Sequence, residues 1–225
     1  MTHADFRVEL PGGGHALFTG RADGNLSSVA GERSEDAGEA RERLRTHIGV
    51  EKLAPAYQVH GAVVARLEGP PDPGSERRHA DGQATALSGI GAMVLTADCL
   101  PVALGSASAV AMLHAGWRGL AAGVLESGVA AMRELGGEDE IVAVVGPGAG
   151  VCCYEVGPEI HAIFGEAHRE GARIDLRAIA RERLLAAGVA EVRDVRACTI
   201  CDERFFSHRG EGARAGRQAG VAWRS

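Results

Sequence analysis

Residues 92–118 read AMVLTADCLPVALGSASAVAMLHAGWR. Three short apolar runs in this stretch, 92–96, 102–104 and 110–113, have the length of strands. No side chain between Asp98 and Arg118 is formally charged at neutral pH, which at first sight invites a membrane reading. Pro101, Gly105, Ser106, Ser108, His114 and Gly116 interrupt it, so two buried strands joined by a turn are expected instead.

Outward on the N-terminal side, a helix is expected from Ser34, a plausible N-cap followed by Glu35 and Asp36. Its apolar side reads Ala37, Ala40, Leu44, Ile48, and Gly49 is placed to end it. Residues 57–64 read as extended. Residues 68–83, with Pro70, Pro71, Pro73 and Gly74 beside a charge cluster, read as one long loop, a feature that in compact domains is often functional. On the C-terminal side a helix over 120–135, a buried strand over 141–145, a glycine-rich loop over 146–150 and helices over 158–167 and 175–187 follow. Strands mixed with helices in this order give an α/β (α+β) fold around one continuous core. No linker interrupts residues 1–225, which are expected to form a single domain.

Composition bounds the function. The 225 residues, 45% of them hydrophobic, can bury a core without disulfide staples. With 30 acidic and 24 basic side chains and a formal charge of −6, the chain lacks the electrostatic footprint of a nucleic-acid or membrane-surface binder, and neither partner is expected. Lys52 is the single lysine, so the positive charge resides almost entirely on guanidinium groups, planar forks suited to phosphate and carboxylate. The five cysteines are an odd number, and no basic segment followed by an apolar one opens the sequence. Reduced thiols and a cytoplasmic location are expected.

Three segments place metal-competent side chains beside predicted strand ends: Gln58-Val59-His60-Gly61, Thr96-Ala97-Asp98-Cys99-Leu100-Pro101 and Leu113-His114-Ala115-Gly116-Trp117-Arg118-Gly119. Two imidazoles and one thiolate suit zinc, and three protein ligands leave a fourth tetrahedral position open. The gaps between His60, Cys99 and His114 match no local zinc motif. Spacing alone therefore leaves two readings, an open zinc site or a buried cysteine with two hydrogen-bonded histidines. The loop 146–150 lacks the lysine of a phosphate loop and reads as a tight turn lining a pocket. Cys152 and Cys153 are adjacent, so a disulfide between them would be strained. Cys198-Thr199-Ile200-Cys201 has the spacing of a redox or zinc knuckle, yet no second pair is expected to complete a four-ligand site.

Taken with Gly146-Pro147, Cys153-Tyr154-Glu155-Val156-Gly157, Phe205-Phe206-Ser207-His208-Arg209 and Gly216-Arg217, the three segments resemble, over nearly the whole chain, the family once called multicopper polyphenol oxidases or laccases. Its members are now mostly described as zinc-dependent purine nucleoside phosphorylases. The resemblance implies a layered α/β/β/α arrangement with mixed sheets, similar to cysteine hydrolases, and a zinc ion held by His60, Cys99 and His114. It also implies phosphorolysis of adenosine, inosine, guanosine and methylthioadenosine, with a nucleoside and phosphate as partners, and deamination of adenosine. The alternative it offers is an amide hydrolase that edits cell-wall precursors, zinc-dependent or using Cys99 as nucleophile with His114. Copper-dependent phenol oxidation is disfavoured, because one Cys-His-His set cannot assemble several copper centres.

Deamination needs an acidified water at the purine C6 and a carboxylate to move the proton. Asp81, Asp98 and Glu155 lie near the family motifs, each an equal candidate for orienting a ligand histidine. Phosphorolysis needs phosphate holders, for which Arg118 and Arg209 sit in matching motifs and Arg21 and Arg217 flank them from the two chain ends. Cys99, His114, Asp81 and Arg118 are thus the candidate catalytic set, with Arg21, Arg118, Glu155 and Arg209 for substrate and phosphate. Trp117 could stack on a purine, although core packing is the favoured reading. The chain departs from the family at residues 19–26, where the N-terminal segment is contracted and a tyrosine is missing. The oligomeric state and the preferred nucleoside are not fixed by the sequence.

Overall fold

The computed structural model describes residues 6–69, 79–136 and 138–225. The elements in chain order are β1 (Phe6–Leu10), β2 (Gly14–Phe18), α1 (Ala37–Ile48), β3 (Lys52–Pro55), β4 (Val64–Arg66), β5 (Gly82–Thr85), β6 (Ile90–Thr96), β7 (Leu100–Gly105) and β8 (Val110–Ala115). They continue with α2 (Trp117–Ala122), α3 (Val124–Gly136), β9 (Val142–Val145), α4 (Pro158–Phe164), β10 (Arg169–Glu170), β11 (Arg173–Ile174), α5 (Leu176–Ala186), β12 (Glu191–Asp194), α6 (His208–Glu211) and β13 (Gln218–Arg224).

The apolar runs of residues 92–118 become β6, β7 and β8, and the last two pair antiparallel from Leu100↔Ala115 to Gly105↔Val110. This hairpin lies inside a six-stranded sheet of order β12-β9-β7-β8-β5-β4, while β6 lies inside a five-stranded sheet of order β1-β2-β13-β6-β3. Both sheets are mixed, with β3–β6, β4–β5 and β9–β12 parallel.

Because strand side chains alternate faces, each central strand serves two layers. In β6, Ala92 and Val94 join the apolar cluster between the sheets, while Met93 and Leu95 pack with Leu44 and Ile48 of α1. In the hairpin, Ala103 and Met112 point into the inter-sheet layer, whereas Val102, Leu104, Ala111 and Leu113 meet α3 and α5. Helix, sheet, sheet and helix therefore stack as four layers, the α/β/β/α arrangement expected. This double burial explains the near-continuous apolar runs.

The local differences have physical causes. Helix α1 buries Ala37, Ala40, Leu44 and Ile48 and ends at Gly49 in the left-handed region, as expected, but Ser34 does not cap it. Residues 34–36 form a 3-10 turn, and the Asp36 carboxylate accepts from Arg33 Nε at 2.8 Å instead of capping. The single helix expected over 120–135 is two, divided by Gly123 at φ +90°, whose N–H closes α2 on the carbonyls of Gly119 and Leu120. The helix expected over 158–167 stops at Phe164, before Gly165. Helix α5 is capped by Asp175, whose carboxylate accepts from the backbone of Arg177 and Ala178. Residues 57–64 are mostly not a strand, β4 taking up only the last of them. Of the loop expected over 68–83, residues 70–78 lie outside the described residues, and its end is already strand β5.

Leu104 is fully buried between β7 and the helices. Leu104→Ala is expected to lower unfolding stability by about 2–5 kcal/mol, read as a drop in the denaturant midpoint with little change in slope.

Candidate metal and anion site

The hairpin register brings the two inner ligand candidates together. Cys99 precedes the first residue of β7 and His114 is the penultimate residue of β8, so pairing Pro101↔His114 and Leu100↔Ala115 sets the thiol opposite Gly116. A Cβ at Gly116 would lie 2.6 Å from Cys99 Sγ, so only glycine leaves room for the sulfur there. His60 reaches the same point from the segment between β3 and β4. One ligand atom each from His60, Cys99 and His114 lies within 4.8 Å of the others, and the two imidazoles meet edge-to-face at 4.8 Å.

The segment carrying His60 is held by side chains in place of strand pairing. Gln58 mimics a strand partner, donating from Nε2 to the Leu95 carbonyl and accepting the Leu95 N–H, both at 2.8 Å. The buried Asp81 carboxylate accepts the backbone N–H groups of Val59 (3.2 Å), His60 (2.8 Å) and Gly61 (2.7 Å). His60 itself sits at φ +60°, a conformation few non-glycine residues adopt without such restraint.

Asp81 also accepts from His114 Nδ1 at 2.9 Å. A carboxylate only accepts, so Nδ1 carries a proton, and Nε2 is the nitrogen that a metal would take, displacing any proton held there.

Electrostatics agree with this set. Burial by itself would raise the Cys99 pKa, but His114 and His60 outweigh it and bring the thiol down to about 6. Burial also disfavours an imidazolium at His114, yet Cys99 and Asp81 raise it to about 9. At Asp81 the hydrogen bonds from His114 and the His60 segment overcome burial and hold the carboxyl below its ordinary value. Stability from the Asp81 charge is therefore present above the unfolded carboxylate pKa and lost as pH falls through the depressed one. A thiolate beside two imidazoles, one oriented by a carboxylate, fits a zinc ion.

Above these ligands opens a cavity of about 510 Å³, within the range of small-molecule sites. Arg41, Arg118, Arg209 and Arg217 all contribute to its lining, while Asp98 is the acidic residue among the described residues lining it. In a chain of net charge −6 this is a local concentration of positive charge. The Arg118 guanidinium lies 4.3 Å over the Trp117 ring, and Arg209 lies 4.8 Å over Tyr154. Trp117 thus packs against the core and lines the cavity at once. Asp98, at φ +87°, accepts from Thr199 Oγ1 at 2.8 Å and from the Arg209 backbone at 2.7 Å.

Not every sequence candidate reaches the cavity. Asp81 lies behind His114 and has no exposed surface. Arg21 pairs with Glu211 at 2.7 Å, stacks on Phe206 and lines a neighbouring hollow. Glu155 is exposed outside the cavity lining, and its carbonyl accepts from Arg209 Nη1 at 2.7 Å. Residues 146–150 do not line the cavity either: they back it, with the Ala149 N–H bound to the Asp98 carbonyl. Conversely, Arg41 on α1 and the aromatic Tyr57 line the cavity without any local sequence signal.

The family model described as multi-copper polyphenol oxidoreductase laccase matches residues 14–225. The chain belongs to that family. It is 39% identical to a purine nucleoside phosphorylase of Xylella fastidiosa over 95% of this chain and 88% of that one. It is 34% identical to a purine nucleoside phosphorylase of Escherichia coli over 88% and 85%. A crystal structure of a Neisseria meningitidis protein superposes with a TM-score of 0.84 at 29% identity, covering 98% of this chain and 99% of that one. No described helix is long and apolar enough to cross a membrane.

Two outcomes are expected. In metal-stripped protein, peptide mapping after iodoacetamide should show Cys99 alkylated with a midpoint near pH 6, slowing below it as the thiolate protonates, and protected when zinc is added. Asp81→Asn should weaken zinc binding about 10- to 100-fold by calorimetry, since an amide cannot accept all the hydrogen bonds that the carboxylate does.

Proposed function

We propose that the chain is a zinc-dependent purine nucleoside phosphorylase acting on adenosine, inosine, guanosine and methylthioadenosine. The observation that carries the reading is one cavity with a Cys-His-His donor set at its base and four arginines contributing to its wall. His60, Cys99 and His114 would hold the zinc, and a zinc ion bound there supplies positive charge and Lewis acidity. Asp81 is the positioning residue: it fixes the His114 tautomer and the backbone of His60 from behind.

Arg118 and Arg209, each lying over an aromatic ring, hold the phosphate that displaces the purine at the ribose C1′. Their charge also offsets that of the incoming anion as positive charge grows on the sugar. Tyr57 and Trp117 bring aromatic surface to the cavity wall, against which a purine can pack. Tyr154 is kept neutral, because burial and the neighbouring Cys99 push its pKa up, so its hydroxyl remains a donor.

Adenosine deamination is a secondary activity of the same cavity. Asp98 is the acidic group lining it among the described residues, and both its oxygens already accept hydrogen bonds, which limits it as a proton carrier.

The second reading, an amide hydrolase, draws on Cys99, His114 and Asp81 as a nucleophile, base and orienting carboxylate. Activity that survived removal of metal would favour it.

The zinc-loaded protein is expected to release adenine from adenosine only when phosphate is present, faster than it forms inosine. Arg118→Ala and Arg209→Ala should each raise the KM for phosphate about 10- to 100-fold, as for loss of a charge-assisted hydrogen bond. Base release without phosphate, or full activity after chelation, would sink the reading.

A further inference from the structure

Four of the five cysteines lie away from the His60, Cys99, His114 set, and the fold gathers all four. Cys152 and Cys153 follow the turn after β9, and Cys198 and Cys201 follow β12, yet the four sulfurs lie within 4.8 Å of one another. The second pair that the Cys198-x-x-Cys201 spacing lacks in the sequence is thus supplied by the adjacent Cys152 and Cys153, contrary to expectation. The two loops are joined by the Gly148↔Cys198 bridge and the Thr199 N–H to Gly148 carbonyl bond at 3.1 Å. We propose that Cys152, Cys153, Cys198 and Cys201 bind a structural zinc ion as a tetrathiolate site, separate from the cavity.

Geometry and donor chemistry support it. Zinc–sulfur bonds of about 2.3 Å put tetrahedral sulfurs about 3.8 Å apart. Cys152 Sγ and Cys201 Sγ are 3.9 Å apart, far beyond a disulfide bond. The cluster is also too tight for a polynuclear iron–sulfur core, which would hold its thiolates farther apart.

The surroundings are shaped for thiolates. The Gly150 N–H donates to Cys198 Sγ at 3.3 Å. A Cβ at Gly150 would come within 3.2 Å of Cys152 Sγ and 3.4 Å of Cys198 Sγ, so the missing side chain makes the space for the sulfurs. Burial opposes ionisation of Cys198, but the backbone N–H groups of Gly150, Cys201 and Ile200 bring it down to about 7.

The site would act by fastening the loops that support the cavity. Tyr154 follows Cys153 directly, and Thr199 donates to Asp98 beside the ligand Cys99. A four-sulfur zinc site has no open position, so its contribution is to loop stability rather than chemistry.

The test is a metal count on the full-length protein purified in reductant. Native mass spectrometry is expected to show two zinc ions per chain, one lost in Cys99→Ala and the other lost in Cys152→Ser/Cys201→Ser. Cobalt substitution of the wild-type protein avoids any folding failure of the variants: the thiolate charge-transfer intensity should correspond to five cobalt–sulfur bonds rather than one. A single zinc that vanishes in Cys99→Ala overturns the inference, as does a mass deficit showing a disulfide between Cys152 and Cys201. A single zinc that survives Cys99→Ala but is lost with Cys152 and Cys201 supports it, and counts only against the metal at the cavity.

Discussion

The candidate site depends on one buried carboxylate. Asp81 has no exposed surface, yet stays charged because it accepts three backbone N–H groups of the His60 segment and Nδ1 of His114. Its own backbone is fixed on both sides, its N–H donating to the Val63 carbonyl at 2.8 Å and its carbonyl accepting the His114 N–H at 2.7 Å. A buried charge is tolerated only when its hydrogen-bonding capacity is met, and here meeting it aligns two ligands that are 54 residues apart in sequence. Removing the charge would free the His60 segment and the His114 tautomer together.

The third ligand depends on strand pairing. Cys99 and His114 are 15 residues apart, and they meet because the β7–β8 hairpin folds that stretch back on itself in a fixed register. A slip by one residue would turn His114 to the opposite face of the sheet. The register is protected by burial on both sides: Val102, Leu104 and Leu113 are committed to the helical layer, and Ala103 and Met112 to the other sheet. The ends of β6, β7 and β8 therefore form a rigid base, while the cavity wall comes from helices α1, α2 and α6 and from irregular segments such as 57–60.

This division explains what the sequence discloses. Elements whose burial is periodic were legible: the hairpin and the four buried positions of α1 follow from local pattern. The segment over 57–64 read as extended because Tyr57, Val59, Val63 and Val64 favour that conformation. Its partners are instead the carboxylate of Asp81 and the amide of Gln58, long-range contacts with no local trace. The metal-competent trio was legible only through its likeness to a family. Arg21 and Glu155 lie next to matching motifs but turn away from the cavity, whereas Arg41 reaches it from α1. The four-cysteine cluster was hidden for the same reason as the 57–64 segment: its halves are joined by pairing between Gly148 and Cys198, 50 residues apart in sequence.

The near-absence of lysine gains meaning at the cavity. A lysine there would be a mobile, strongly hydrated point charge. The guanidinium groups of Arg118 and Arg209 instead sit over the rings of Trp117 and Tyr154, which limits their rotamers before any ligand arrives. Their edges keep several N–H donors in a plane, the geometry that an oxyanion accepts. Arg217 is pinned separately, by the carbonyls of Ala215 and Gly216, and burial lowers its pKa. Gathering these cations around one hollow is unfavourable in the free protein, and the repulsion is relieved by an anion. An acidic chain that gathers such a cluster directly above a thiolate and two imidazoles concentrates its positive charge at the one place where the proposed reaction brings a small anion.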